Sequence, residues 1–308
     1  MPFRTERERK VDLTELERDK ILRLDPSFQE ITQAAYFDNY DLPCPVRVEV
    51  RTRENQSRIV VLRTCRHGNV DIEIKMFRAL GEYGLPVPKI LAEPFRNEHG
   101  RVVAIYSLLE GENLQRLSMQ SFQALQDAKH LLLEAVHVLM DAGNFILEHE
   151  VSESLPRRDL RTELETIEAR QNGWREAPLF QLAVEKLNAV LPGVSTPLVL
   201  SNGDYQPGNF LAKDGRITGY LDFESPRYQD PLLGFVKFPI YDLRPLSRTD
   251  LVETFLIMRK FTKRDFTIRL ALGCLKTLQN EMVPINRAQS DYGKRVVGLL
   301  NSALDELG

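Results

Sequence analysis

The chain has 308 residues, 43% hydrophobic and 28% charged, with 41 Lys+Arg against 44 Asp+Glu and a formal net charge of −3. This composition provides for a sizeable core, about two lobes at roughly 150 residues each, and excludes disorder, collagen and continuous coiled coil. It supplies no basic field of the kind that neutralises a phosphate backbone, so nucleic acid is not an expected partner. Cys44, Cys65 and Cys274 share no CxxC or Cys/His spacing, which argues against a disulfide framework or a zinc site. The first twenty residues carry charge where a signal peptide needs an apolar stretch, and no run of about 18 apolar residues follows. The expectation is a cytoplasmic protein without a membrane partner; its oligomeric state is not encoded.

Asp12-Leu13-Thr14-Glu15 offers an N-cap with a glutamate three residues on, predicting a short helix over 12–24. Residues 45–63 alternate Val46, Val48 and Val50 with charge, break at Glu54-Asn55-Gln56-Ser57 and resume at Ile59, an antiparallel pair. Ile72, Met76, Phe77 and Leu80 have helical spacing over 71–80, and Pro86 and Pro88 enforce extended backbone afterwards. A further strand spans 102–109. At Glu110-Gly111-Glu112-Asn113 the strand signals give way to helical ones, and the lobe boundary is placed there, dividing 1–109 from 110–308. Phe122, Leu125, Ala128, Leu132, Val136 and Leu139 predict a long helix over 118–141, with Gly143 as its left-handed C-cap. Helical patterns also occupy 160–190 and 247–303. Lone Trp174 reads as a packing anchor, and the five histidines show no ligand pairing.

One island of strand and turn signals, 198–223, interrupts the helices. Asp214-Gly215 is a two-residue hairpin signal, whose register pairs Asn209 with Tyr220 and sets Asp222 on the same face as Asn209. Two oxygen ligands on one face suit Mg²⁺, which takes one or two protein side chains plus substrate phosphates. Asp204, five residues before Asn209 in a Gly-Asp-Tyr-Gln-Pro-Gly loop, is placed to orient a hydroxyl and accept its proton. Asp-x4-Asn followed thirteen residues later by Asp is the spacing of kinase phosphoryl-transfer machinery.

Asn202-Gly203-Asp204-Tyr205-Gln206-Pro207-Gly208-Asn209, then Leu221-Asp222-Phe223-Glu224 and Asp230-Pro231, resembles the aminoglycoside phosphotransferase and choline kinase family. Glu73 with the following Leu85-Pro86-Val87-Pro88, Val61-Leu62-Arg63, and the hinge-like 106–111 extend the resemblance over about 59–235. The resemblance implies an α+β, two-lobed protein kinase-like fold with a small β-rich nucleotide-binding lobe and a larger, mainly helical lobe. It also implies transfer of the ATP γ-phosphate to a hydroxyl of a small molecule. By the same resemblance Asp204 is the base, Asn209 and Asp222 hold Mg²⁺, Arg63 and Glu73 serve the phosphates, and Ser107 and Leu109 lie at the nucleotide hinge. Asp230 reads as a structural anchor, and Glu224 as support for the metal region.

Four positions depart from the family pattern. Asn202 replaces His, Arg63 replaces Lys, no glycine precedes Gly68 to build a phosphate loop, and Gly234 stands where an aspartate is common. They leave a second reading open, a nucleotide-binding pseudokinase or regulatory protein. Residues 223–308 hold 13 Lys/Arg against 10 Asp/Glu, which disfavours a polycationic acceptor.

Overall fold

The computed structural model describes residues 10–37, 45–64, 70–170, 173–195, 197–279 and 288–308; Cys44, Cys65, His67 and Gly68 lie outside them. The chain divides into two compact units: 1–111 with 149–154 and 217–225, and 112–148 with 155–216 and 226–308.

The first unit is built on an antiparallel sheet of β1 (Phe28–Tyr36), β2 (Val46–Thr52), β3 (Ser57–Arg63), β4 (Ile90–Arg96) and β5 (Val102–Ser107), in the order β1-β2-β3-β5-β4. Val48 and Val50 of β2 are fully buried and join Val60, Leu62, Val103 and Ile105 in one core cluster, the inward half of the period-two pattern. The pair read from 45–63 is present as β2 and β3. β1 carries no such alternation, because it is an edge strand whose residues are mostly half-buried. The helix α1 (Glu15–Leu22) starts two residues later than the Asp12 cap implies. Thr14 and Glu17 form the reciprocal capping box, with Glu17 N–H donating to Thr14 Oγ1 at 3.2 Å and Thr14 N–H donating to Glu17 Oε2 at 2.9 Å. The helix α2 (Val70–Tyr83) buries Ile74, Met76, Phe77 and Leu80, and with them one charged residue, Glu73.

The second unit contains β6 (Glu112–Asn113), α3 (Leu114–Leu117), α4 (Phe122–Leu147), β7 (Arg157–Arg158), α5 (Leu160–Ala169), α6 (Pro178–Val190), β8 (Val199–Ser201) and β9 (Phe210–Lys213). The strand β10 (Arg216–Tyr220) follows in sequence, and the second unit continues with β11 (Arg227–Gln229), α7 (Lys237–Tyr241), α8 (Leu251–Arg259), α9 (Lys263–Gln279) and α10 (Asp291–Leu307). The helix α4 is long and apolar enough to cross a membrane, but 56% of its most apolar window is buried against the rest of the protein, as in a core helix. It runs through Gly143 instead of ending there. A Cβ at Gly143 would lie 3.1 Å from Leu200 Cβ and 3.3 Å from its backbone nitrogen, so the glycine admits β8 against the helix. Trp174 is buried in the core formed by α5, α6, α9 and α10, as a packing anchor should be.

Gly234 is tightly enclosed. A Cβ there would stand 2.0 Å from Cδ2 of Tyr205, a fully buried ring that also packs edge-on to Phe235 at 5.5 Å. Tyr205 lies next to Asp204, so the small residue at 234 is what lets the loop anchor its ring. Gly234→Ala is expected to cost about 3 kcal/mol by overpacking, or roughly 5–10 °C in thermal midpoint. Adding Tyr205→Leu should recover part of that loss. Strictly additive losses in a double-mutant cycle would show that the two positions do not compete for the same space.

Candidate functional site

In the first unit, β3 ends at Arg63, whose Nη2 lies 3.2 Å from Glu73 Oε1, 2.6 Å from Asp222 Oδ1 and 2.8 Å from Glu224 Oε1. Three carboxylates from α2 and from the turn after β10 therefore share one guanidinium. Glu73 is fully buried and also accepts a hydrogen bond from the Tyr106 hydroxyl at 3.0 Å. Phe77 packs edge-on to Tyr106 at 5.6 Å and to Phe223 at 5.8 Å, so the apolar face of α2 fixes both the partner of Glu73 and the residue after Asp222. Burial works against the charge of Arg63, but Glu73, Asp222 and Glu224 outweigh it and move its pKa up. Burial pushes the Glu73 carboxyl upward, with Arg63 and Tyr106 pulling the other way. Glu224 thus belongs to the charge network that holds Asp222.

The turn that ends in Asp222 departs from the strand reading. Asp222 has φ 64, beyond the end of β10 at Tyr220, and Asn209 closes a 3-10 turn, Pro207–Asn209, just before β9. Neither residue sits within a strand, so the same-face register inferred from Asp214-Gly215 does not describe them. Pro207 sets the backbone angle that starts the 3-10 turn, and Asn209 N–H closes it on Gln206 O at 2.9 Å. The hairpin turn itself is as read, with positive φ at both Asp214 and Gly215.

In the second unit the loop 201–206 is organised by its own side chains. Asn202 Oδ1 accepts the Asp204 N–H at 3.1 Å, Ser201 Oγ accepts the Gly203 N–H at 3.0 Å, and Gln229 Nε2 donates to Ser201 Oγ at 3.1 Å. The amide at 202, where the family has histidine, therefore holds the loop through an Asx turn, and Gly203 supplies the required φ of 89. The Asp204 carboxylate accepts from Gln206 N–H at 3.1 Å and Gln206 Nε2 at 2.8 Å. Lys237 Nζ stands 2.6 Å from Asp204 Oδ2. Asn209 Nδ2 donates to the Asp204 carbonyl at 3.2 Å, which identifies Oδ1 as the acceptor atom of the amide. Tyr241 feels the same negative charge: burial first, then Asp204, pushes its hydroxyl up to about 12.

A buried ion pair supports the loop. Asp230 caps the Leu232 N–H at 2.9 Å and meets Arg269 at 3.1 Å and 2.8 Å through Nε and Nη2, with both side chains fully buried. It is a structural anchor. Ser107 ends β5 with its N–H on Lys89 O at 2.9 Å and its Oγ accepting Lys89 N–H at 2.9 Å, and Leu109 follows the strand end. Among the described residues no group of three or more His, Cys, Asp or Glu forms a metal cage.

Sequence reasoning missed Lys237. Its signal was a lone charge inside the apolar run Phe235-Val236-Lys237-Phe238-Pro239-Ile240, where a cation needs a partner. Arg269 was equally legible in principle, as an arginine on the buried face of a helix.

Removing Arg63 leaves Glu73 buried without its cation. Arg63→Met should destabilise the protein by about 3–5 kcal/mol, read as a lower urea midpoint with unchanged slope. The raised Glu73 carboxyl makes the folded variant bind more protons than the unfolded chain, so its stability should rise as pH falls from 8 to 5. A deficit independent of pH would show that Arg63 acts through packing alone.

The chain matches the family model described as the Phosphotransferase enzyme family over residues 45–260. No curated protein matches it. A crystal structure of aminoglycoside phosphotransferase APH(4)-Ia superposes with a TM-score of 0.66 at 13% identity, covering 95% of this chain and 99% of that one. APH(2")-IIia, solved in complex with GDP and kanamycin, gives 0.61 at 16% identity over 93% and 97%. Choline kinase LicA from Streptococcus pneumoniae gives 0.59 at 14% identity over 95% and 98%. The fold is thus that of the kinase-like aminoglycoside phosphotransferases, an α+β architecture with a β-rich sheet and a helical portion, and the chain belongs to the Phosphotransferase enzyme family.

Proposed function

We propose that this protein is an ATP-dependent small-molecule kinase that moves the γ-phosphoryl group to a hydroxyl of its acceptor. The observation that carries the reading is the charge network of Arg63. A basic residue at the end of β3 is paired to a buried glutamate of the following helix and lies beside Asp222, an arrangement that kinases use to position nucleotide phosphates. The likeness to enzymes crystallised with AMP-PNP and hygromycin B, with GDP and kanamycin, and with AMP supports nucleotide use and a small acceptor.

In the reaction the acceptor O–H bond breaks as the new O–P bond forms and the bond from Pγ to the β-phosphate oxygen breaks, with ADP leaving. Asp204 orients the hydroxyl and receives its proton, which passes to solvent when the products depart. Arg63 neutralises the α/β-phosphates from its place against Glu73, and Ser107 and Leu109 border the nucleotide base. The residues present suit Mg²⁺: Asn209 and Asp222 offer hard oxygen donors, and the three carboxylates around Arg63 exceed its single positive charge by two. When bound, Mg²⁺ would neutralise the β- and γ-phosphate oxygens.

A second reading, a nucleotide-binding regulatory protein without turnover, draws on one observation: Asp204 and Asp222 are each already engaged by a cation at 2.6 Å. Turnover separates the two. With a productive acceptor, Asp204→Asn should reduce kcat by about 10²–10⁴, measured as ADP release. Mg-ATP binding with no Asp204-dependent turnover over a broad acceptor panel would favour the regulatory reading. For the nucleotide, AMP-PNP with Mg²⁺ at 100 times its dissociation constant should stabilise the wild type by about 2.7 kcal/mol. That stabilisation should be lost with EDTA and in Asp222→Asn; a shift that persists in both would remove Asp222 from the metal role.

A further inference from the structure

The surroundings of Asp204 in the second unit are cationic. Lys237, at the start of α7, contacts its carboxylate at 2.6 Å. Arg227 lies opposite Ser201 in the β11–β8 ladder, and its electrostatic neighbours are Glu163, Arg158 and Asp204. Lys276 of α9 pairs with Glu163 at 2.9 Å, and the same Glu163 carboxylate is also within 3.8 Å of Arg158. Four cations thus share two carboxylates, Lys237 on Asp204, Arg158 and Lys276 on Glu163 and Arg227 as a neighbour of both, a surplus of two positive charges in a network that includes the group that must meet the acceptor. Burial lowers the pKa of both Arg227 and Lys276, and their cationic neighbours lower it further.

A surface ion-pair network would balance its charges or spread them into water. This one does neither. Glu163 is 2% exposed, while the Arg158 and Lys276 side chains that share it remain 34% and 37% exposed, and Lys237, paired instead with Asp204, is 26% exposed, so all three cations can be reached from solvent. Surplus positive charge held in partly desolvated surroundings raises the local concentration of anions and repels cations. An acceptor whose hydroxyl lies within hydrogen-bond reach of Asp204 places its neighbouring groups against Lys237 and Arg227.

We infer that the acceptor of this kinase is an anionic alcohol, bearing a carboxylate or a phosphate beside the hydroxyl that is phosphorylated, with Lys237, Arg227 and Lys276 as its recognition residues. This inference rests on the kinase reading above, and it separates this chain from relatives that bind polycationic aminoglycosides.

The test measures thermal midpoints of the full chain preloaded with saturating AMP-PNP and Mg²⁺, then titrated with D-glycerate, glycerol 3-phosphate, inorganic phosphate, glycerol, choline or kanamycin. Stabilisation by at least one anionic probe, with none from glycerol, choline or kanamycin, is expected. The concentration for half-maximal shift should rise at least tenfold in Arg227→Gln and in Lys276→Gln. Two variants from different elements guard against a local folding defect in either. Comparing D-glycerate with glycerol 3-phosphate distinguishes a carboxylate from a phosphate acceptor. The inference is overturned if kanamycin or choline stabilises instead, if no anion does, or if the anion effect is indifferent to both variants. It is also overturned if anions bind only before AMP-PNP is added, since the cluster would then serve the nucleotide. Failure of the kinase reading shows separately, as no stabilisation by AMP-PNP and Mg²⁺ in the first step.

Discussion

One guanidinium organises the first unit. Arg63 ends a strand, Glu73 sits in the middle of the apolar face of α2, and Asp222 and Glu224 come from a segment more than 150 residues downstream. A carboxylate as fully buried as Glu73 is tolerated only beside a cation and a hydrogen-bond donor, and Arg63 and Tyr106 supply both. The aromatic contacts of Phe77 with Tyr106 and Phe223 then become consequences of the same requirement, because they set the helix at the height where Glu73 meets Arg63. All three carboxylates meet the same nitrogen, Nη2, so these contacts use the arginine as one concentrated cationic point at the end of the strand.

The loop around Asp204 obeys a different constraint, that of a short backbone with few regular hydrogen bonds held in one conformation. The N–H groups of Gly203, Asp204 and Gln206 are satisfied locally by Ser201, Asn202 and Asp204, and its one large side chain, Tyr205, is driven into the aromatic cluster of Phe235, Phe238 and Phe255. Gly234 and the buried Asp230–Arg269 pair are the receiving end of that arrangement. The departures at 202 and 234 are therefore linked to what replaces them: an amide performs the loop hydrogen bond, and a missing side chain makes room for a tyrosine ring. Both describe a loop that is tightly held.

What could be read from sequence was what short-range physics encodes. The β2–β3 pair, α2, the Asp214-Gly215 turn and the packing role of Trp174 follow from periodicity and turn chemistry within a few residues. Local ambiguity misplaced the cap of α1, since Asp12 and Thr14 each precede a glutamate by three and only the backbone decides between them. Gly143 misled for a different reason, because a glycine chosen to admit a neighbouring strand looks in sequence like one chosen to end a helix. The candidate residues Asp204, Asn209 and Asp222 stand out by their spacing, but Asn209 and Asp222 do not share a strand face, as each lies just outside its strand. Lys237, Arg227 and Lys276 were invisible to spacing. They become neighbours only through β11, α7 and α9, and nothing in a one-dimensional pattern records that they share a carboxylate or a field.

The Lys237–Asp204 contact gives that field its chemical meaning. Lys237 occupies Asp204 Oδ2 at 2.6 Å and the Gln206 N–H takes Oδ1 at 3.1 Å, so an acceptor hydroxyl must share the carboxylate with partners already in place. The competition eases if the ammonium turns to another anion as the acceptor arrives, because the carboxylate then opens to the hydroxyl only when substrate is in place. A neutral or cationic acceptor offers the lysine no such alternative and leaves the carboxylate engaged. The same ion pair that makes the resting loop look occupied thereby becomes a source of selectivity, coupling the competence of the base to the charge of the molecule it is to act on.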